Sequence, residues 1–189
     1  HGNHEMLRNS GTVAVAKDME QIMRTLGEDK LNHLGYSYGT ILGATFAAIR
    51  PDLVKRMVLD GVSDSESYFN DILQFGRDGM QDTHKVISGF ITTCVEAGPL
   101  RSVLADLERG DGSLLHAALF AGVYYQSTPK PYDQERYTGS WKVKKGLKKT
   151  GFPILFVSLD ADPVTPLPSA VKMSKGFGNE SASLLVQQG

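Results

Sequence analysis

The chain has 189 residues, 41% of them hydrophobic and 22% charged, with a formal net charge of -1. That composition suits one soluble globular domain of moderate size and excludes a fibre or a long disordered tail. A net charge so close to zero gives no global field to attract nucleic acid or an anionic membrane, and no apolar run approaches the ~20 residues of a membrane span.

Residues 1 to 11 are polar and irregular. Val13, Ala16, Met19, Ile22, Met23 and Leu26 then recur at helical spacing, which predicts an amphipathic helix closed by Gly27. Leu31 to Leu34 is a short apolar run and predicts a strand. It passes into Gly35-Tyr36-Ser37-Tyr38-Gly39, and a helix is predicted from Tyr38 to Ile49, where Arg50-Pro51 stops it. A GxSxG sequence between a strand and a helix is the context of a nucleophile elbow. A serine hydroxyl is a poor nucleophile at its free pKa, so the fold must present it on a sharp turn within reach of a base. Ser37 is the candidate nucleophile, and Gly35 and Gly39 are the positions where a Cβ would obstruct the close passage of strand and helix. Gly39, Gly43 and Ala47, with Ala44 and Ala48 beside them, give this helix a face small enough to lie close on a sheet.

Lys55 to Asp60 predicts the next strand, with Met57, Val58 and Leu59 as a continuous apolar run. Continuous apolar strands separated by helices predict a parallel sheet covered on both faces. From Asp64 to Thr150 the texture changes to glycines, short helical stretches and scattered aromatics, which predicts a mostly helical lid over the sheet. Ile154 to Leu159 returns as a buried strand, Pro166 to Phe177 as a helix and Ser183 to Val186 as a last strand, making four parallel strands. The expected organisation is an α/β core carrying the elbow over 1–63, the lid over 64–150 and a closing core segment over 151–189.

A single cysteine, Cys94, excludes an internal disulfide and reads as a plain thiol. No HExxH, GxGxxG or Cys/His cluster occurs, so no metal or other cofactor is expected. The lysines at 142, 144, 145, 148 and 149 read as a solvated helix face, not a polyanion contact. An acyl-transfer site needs an acid to orient its base, and the loop after Leu159 offers Asp160 and Asp162, between which spacing does not choose.

Two blocks carry a resemblance. LNHLGYSYGTILGATFAAIRPDLVKRMVLDGVSD, from Leu31 to Asp64, resembles the nucleophile region of α/β-hydrolases related to tripeptidyl and prolyl aminopeptidases. FPILFVSLDADPVTPLPSAVKMSKGFGNESASLLVQQG, from Phe152 to Gly189, resembles their C-terminal segment. The resemblance implies an α/β-hydrolase fold with a helical lid, and a serine exopeptidase acting on short peptides with a free amino terminus. It places the catalytic aspartate at the first position of the DPVTP pattern, here Asp162, with Asp160 the runner-up. One oxyanion donor is then the backbone N–H of Tyr38. Ester or amide hydrolysis in the same fold is the nearest competing activity, and a non-catalytic product is the reading from another class.

The family's order is Ser, Asp, His, yet no histidine follows Asp162. The resemblance implies a Gly-His pair just past Leu184-Leu185-Val186-Gln187-Gln188-Gly189, and four strands before Leu31. The expectation is therefore a truncated, inactive half of a hydrolase with its nucleophile strand at an exposed edge. Of the five histidines, His33 reads as an interior residue beside the elbow, His84 and His116 as lid residues able at most to substitute as base, and His1 and His4 as part of a ragged terminus. Glu66, Glu96 and Glu135 are lid carboxylates that could meet a substrate amine. The partner expected is thus a peptide or small acyl substrate, with no nucleic acid and no membrane. Oligomeric state is not set by these residues, and neither is the compartment, for which the resemblance allows secretion.

Overall fold

The computed structural model describes residue 6, residues 9–96 and residues 135–188. Four strands, β1 (Leu31–Tyr36), β2 (Val54–Asp60), β3 (Ile154–Leu159) and β4 (Ala182–Gln187), form one all-parallel sheet in the order β1-β2-β3-β4. Helix α1 (Thr12–Thr25) precedes β1, and α2 (Tyr38–Ile49) connects β1 to β2. After β2 come α3 (Ser65–Asn70), α4 (Ile72–Asp78) and α5 (Thr83–Glu96), and α6 (Leu167–Phe177) connects β3 to β4.

The predicted bounds of α2 and β3 are those observed. β1 runs two residues further than its apolar run, because Gly35 and Tyr36 still pair with Leu59 and Asp60; backbone pairing needs no apolar side chain. Helix α1 ends where Gly27 takes φ +78, but its apolar face is narrower than expected. Val13, Ala16 and Met23 are buried, whereas Ile22 and Leu26 project into solvent at 59% and 74% exposure.

Among the described residues, the helices that connect the strands lie on one face of the sheet. Parallel strands joined in unbroken order by right-handed crossovers receive their connecting helices on one face; covering the other requires the order to reverse. Here the order does not reverse. A Cβ at Gly43 of α2 would meet Leu59 Cδ2 at 2.6 Å, and Phe177 of α6 packs on Phe156 with ring centroids 5.8 Å apart. Leu59 and Phe156 are register partners, so both helices lie on the same face. That face carries the core: Met57, Leu59, Ile154 and Phe156 against Ile41, Ala44, Ala47, Ala170, Met173 and Phe177. On the opposite face Leu34, Tyr36 and Leu185 remain 58%, 60% and 54% exposed.

Within the segment expected to form the lid, Phe69, Trp141 and Leu147 are buried in that same core cluster. Trp141 stacks on Phe69 at 6.0 Å and meets Tyr137 edge-on at 4.7 Å. The lysines at 142, 144, 145, 148 and 149 are all exposed, on and around a 3-10 turn at Val143–Lys145 rather than an α-helix. Among the described residues no helix is long and apolar enough to cross a membrane, and no three His, Cys, Asp or Glu side chains converge as a metal site.

Candidate active site

Ser37 sits at the junction of β1 and α2 with φ 52 and ψ -117, and it is the one non-glycine residue of positive φ among those described. Such a conformation costs of order 1–3 kcal/mol and persists only where its surroundings hold it. Several contacts do so. The Ser37 N–H donates to Asp60 O at 3.2 Å, across to the end of β2. The Ser37 carbonyl accepts the N–H of Thr40 at 2.9 Å and the Thr40 hydroxyl at 2.6 Å. Buried Thr40 also accepts the N–H of Ser63 at 3.0 Å, so one side chain clamps the elbow to the chain leaving β2. The serine itself stays exposed.

The two elbow glycines differ. A Cβ at Gly35 would collide with the carbonyl of Gly39 and come within 2.7 Å of His33 Nε2. At Gly39, no described atom outside its chain neighbours and its own helix backbone lies within 4 Å of a Cβ. The second crowded position is Gly43, one helical turn on, where a Cβ would meet both Leu59 and His33. His33 is half-buried under the turn, and its Nε2 donates to Gly39 O at 3.0 Å.

Tyr38 follows the serine as the first residue of α2, where a helix N–H has no intrahelical acceptor. Its amide therefore has the local character of an oxyanion donor. Its side chain is anchored: the phenol shares a 2.9 Å hydrogen bond with the hydroxyl of buried Thr12. Burial pushes the Tyr38 phenol above its ordinary pKa.

Asp162 lies in the loop past β3, beyond the carboxyl end of the sheet where ligand sites of parallel α/β folds collect. Its Oδ1 accepts the N–H groups of Val164 at 2.9 Å and Thr165 at 2.8 Å, and its Oδ2 accepts the Thr165 hydroxyl at 2.7 Å. Partial burial raises its pKa, but these three donors outweigh that effect and hold the carboxyl below its ordinary value. Asp160, exposed at the end of the strand, has its N–H bound to Gln187 O at 3.1 Å.

Gly61 links the two loops. It follows β2 with φ +64, and its N–H donates to Val157 O at 3.2 Å. A Cβ there would stand 3.1 Å from Thr165 Oγ1 and 3.8 Å from the Ser37 amide nitrogen. The acid loop and the elbow thus approach each other over one glycine.

Of the lid carboxylates, Glu66 lies 3.1 Å from Lys172 Nζ, and both Glu135 oxygens accept from Lys17 Nζ at 2.7 and 2.8 Å. Glu96 is the last residue of α5. His84, exposed, follows Thr83, whose hydroxyl donates to Pro163 O at 2.9 Å and so brings the start of α5 onto the acid loop. His1, His4 and His116 lie outside the described residues, as does the side chain of Cys94. Among the described residues no histidine hydrogen-bonds to Ser37 or Asp162. Sequence reasoning passed over Thr40, Gly61 and Thr165. A signal for Thr165 existed, since a hydroxyl residue three after an aspartate is the pattern of a local Asx-type turn; nothing local marks Thr40 or Gly61.

The family profile described as alpha/beta hydrolase fold matches residues 3–188. Serine protease Hip1 of Mycobacterium tuberculosis is 52% identical over 58 residues, 31% of this chain and 11% of that protein. Tripeptidyl aminopeptidase of Streptomyces lividans is also 52% identical over 58 residues, with the same 31% and 11% coverage. The match therefore spans only about a tenth of the length of these curated relatives. Among solved structures, an alpha/beta fold family hydrolase from Bacillus anthracis str. Sterne superposes with a TM-score of 0.52 at 16% identity, covering 98% of this chain and 68% of that one. That likeness speaks for the fold alone.

Proposed function

The chain belongs to the α/β-hydrolase family, and from that membership we propose that it is a serine hydrolase of exopeptidase type. Ser37 Oγ attacks the carbonyl carbon of a short peptide, and its proton passes to a histidine base oriented by Asp162. The oxyanion of the tetrahedral intermediate takes the Tyr38 N–H. Collapse expels the amine, which takes the proton from the base, and water then hydrolyses the acyl-serine by the same steps in reverse. The observation that carries this reading is the strained backbone of Ser37, held between strand and helix by Thr40, Asp60 and the missing Cβ of Gly35. Peptide over ester as substrate is supported by the names of both curated relatives, a serine protease and an aminopeptidase, and cleavage from the amino terminus by the second of them.

The base is supplied from outside the described residues. An amine-binding carboxylate is the other open part: Glu66 and Glu135 are engaged by lysines, so a substrate ammonium using either must displace Lys172 or Lys17. A second, non-catalytic reading is favoured by one observation, the lack of any described histidine bonded to Ser37 or Asp162.

Fluorophosphonate labelling separates the two. The polypeptide of the whole reading frame should label at Ser37 and release amine from tripeptidyl or prolyl amides in preference to alcohol from acyl esters. Absence of Ser37-dependent labelling in that polypeptide would leave the non-catalytic reading. A preference for esters would replace the peptidase with an esterase.

A further inference from the structure

We propose that Thr165 is a positioning residue that makes Asp162, rather than Asp160, the acid of the site, and that seats this acid against the elbow through Gly61. The proposal rests on the serine hydrolase reading above. An acid that orients an imidazole must present one carboxylate oxygen in a fixed direction, in its ionised form. Of the three donors on the Asp162 carboxylate, two belong to Thr165: its N–H on Oδ1 at 2.8 Å and its hydroxyl on Oδ2 at 2.7 Å. With the Val164 N–H also on Oδ1, the plane of the carboxylate is set by both oxygens. Oδ2 keeps a further lone pair for an imidazole N–H.

The same hydroxyl has a second contact surface. Thr165 Oγ1 lies 3.1 Å from the place a Gly61 Cβ would take, and the Ser37 amide nitrogen lies 3.8 Å from that place. Thr165 itself is buried, at 6% exposure. The side chain that grips the acid therefore also abuts the residue packed against the nucleophile's amide. The backbone N–H of Asp160 donates to Gln187 O at the end of β4, at 3.1 Å.

The readout is the titration of Asp162, followed by carbon-detected NMR of aspartate carboxyls in the polypeptide of the whole reading frame. Among the described residues, the charged groups on the elements meeting this loop are Asp160 on the loop itself, Asp60 at the end of β2, Arg77 and Asp78 before Gly79, and Asp82, His84 and Lys85 around Thr83. None is altered by the variants. Thr165→Val keeps the branched shape and removes the hydroxyl, and should raise the Asp162 midpoint by about one pH unit, because one of three donors to the charged form is lost. Thr165→Ser should return the midpoint to within about 0.3 units of wild type. On peptide amides, Thr165→Val should lower kcat about tenfold with KM unchanged, and Thr165→Ser should restore it.

An Asp162 midpoint that does not move in Thr165→Val overturns the proposal, as does an equal shift in both variants, which would assign the effect to packing. If Thr165→Val does not fold, Thr165→Ala gives the same reading. The parent assignment fails separately. Ser37-dependent labelling that survives Asp162→Asn and is lost in Asp160→Asn would remove Asp162 from the site, whatever Thr165 does to its titration.

Discussion

At the scale of single residues, the elbow is built from absences of side chain as much as from side chains. Gly35 and Gly39 are equivalent in the motif but not in space: a Cβ at Gly35 meets a backbone carbonyl, which cannot move aside without shifting the helix. Gly35→Ala should therefore cost about 3 kcal/mol, the upper end for an overpacked position. Gly39→Ala enters a helix without a described obstacle and should leave stability within about 1 kcal/mol of wild type, on the stabilising side. Paired thermal or denaturant melts check this, and equal losses would show that Gly39 is crowded by residues outside those described. Asp162 gives a second test at this scale. Its folded carboxyl titrates below its unfolded value of 3.8, so its stabilising contribution is complete above that pH and fades as pH falls through the folded value. Asp162→Asn should therefore lose stability at neutral pH and converge on wild type in acid, a difference read from melts across that range.

At the scale of elements, the joint between α3 and α6 is centred on Lys172 and the carboxylates of Asp64 and Glu66. Asp64 caps α3 by accepting the N–H groups of Glu66 and Ser67, is 4% exposed, and lies 2.6 Å from Lys172 Nζ of α6. Glu66 adds a second carboxylate at 3.1 Å. Burial works against the Lys172 charge, yet the two carboxylates outweigh it and raise its pKa above the usual lysine value. Removing one partner of a buried pair costs 3–5 kcal/mol; with the Lys172 side chain 39% exposed, Lys172→Met should cost about 2 kcal/mol, and adding Asp64→Asn should recover part of it. The sign of the pH dependence follows from the raised pKa. With the carboxylates ionised, from neutral pH upward, the lysine's contribution is fully present up to 10.5 and is lost as pH rises through the higher folded value, so wild type and Lys172→Met should converge in strong alkali. A loss of stability indifferent to alkali would assign the effect to packing of the lysine stem.

At the scale of the whole molecule, the sheet's open face and its β1 edge act together. β1 has β2 on one side and, among the described residues, no strand on the other. Leu34, Tyr36 and Leu185 lie more than half exposed on the face that no described helix covers. Contiguous apolar surface and unpaired strand edges both drive association. The 189-residue chain should therefore sediment with a concentration-dependent mass and bind an apolar dye. Leu34→Lys combined with Leu185→Glu should reduce both by placing charge on that face. A monodisperse, cooperatively melting monomer would overturn this expectation and show the face to be covered.

The local pattern along the chain was sufficient for the parallel strands, the helix bounds at Tyr38 and Ile49, and the serine on its turn. Each of these is decided by neighbours within a few residues: apolar runs, a proline after Arg50, glycines around Ser37. Which face of the sheet is covered was not legible, because it follows from strand order, and no periodicity encodes whether that order reverses. Nor was the commitment of Glu66 and Glu135, which depends on lysines brought in from α6 and α1. The hold of Thr40 on Ser63, the bridge over Gly61, and the Asp64 to Lys172 pair across 108 residues are products of the tertiary structure alone. The physical reason is range: a turn or helix stop is settled by short-range sterics, whereas an ion pair or a close backbone approach exists only once distant segments have been packed together.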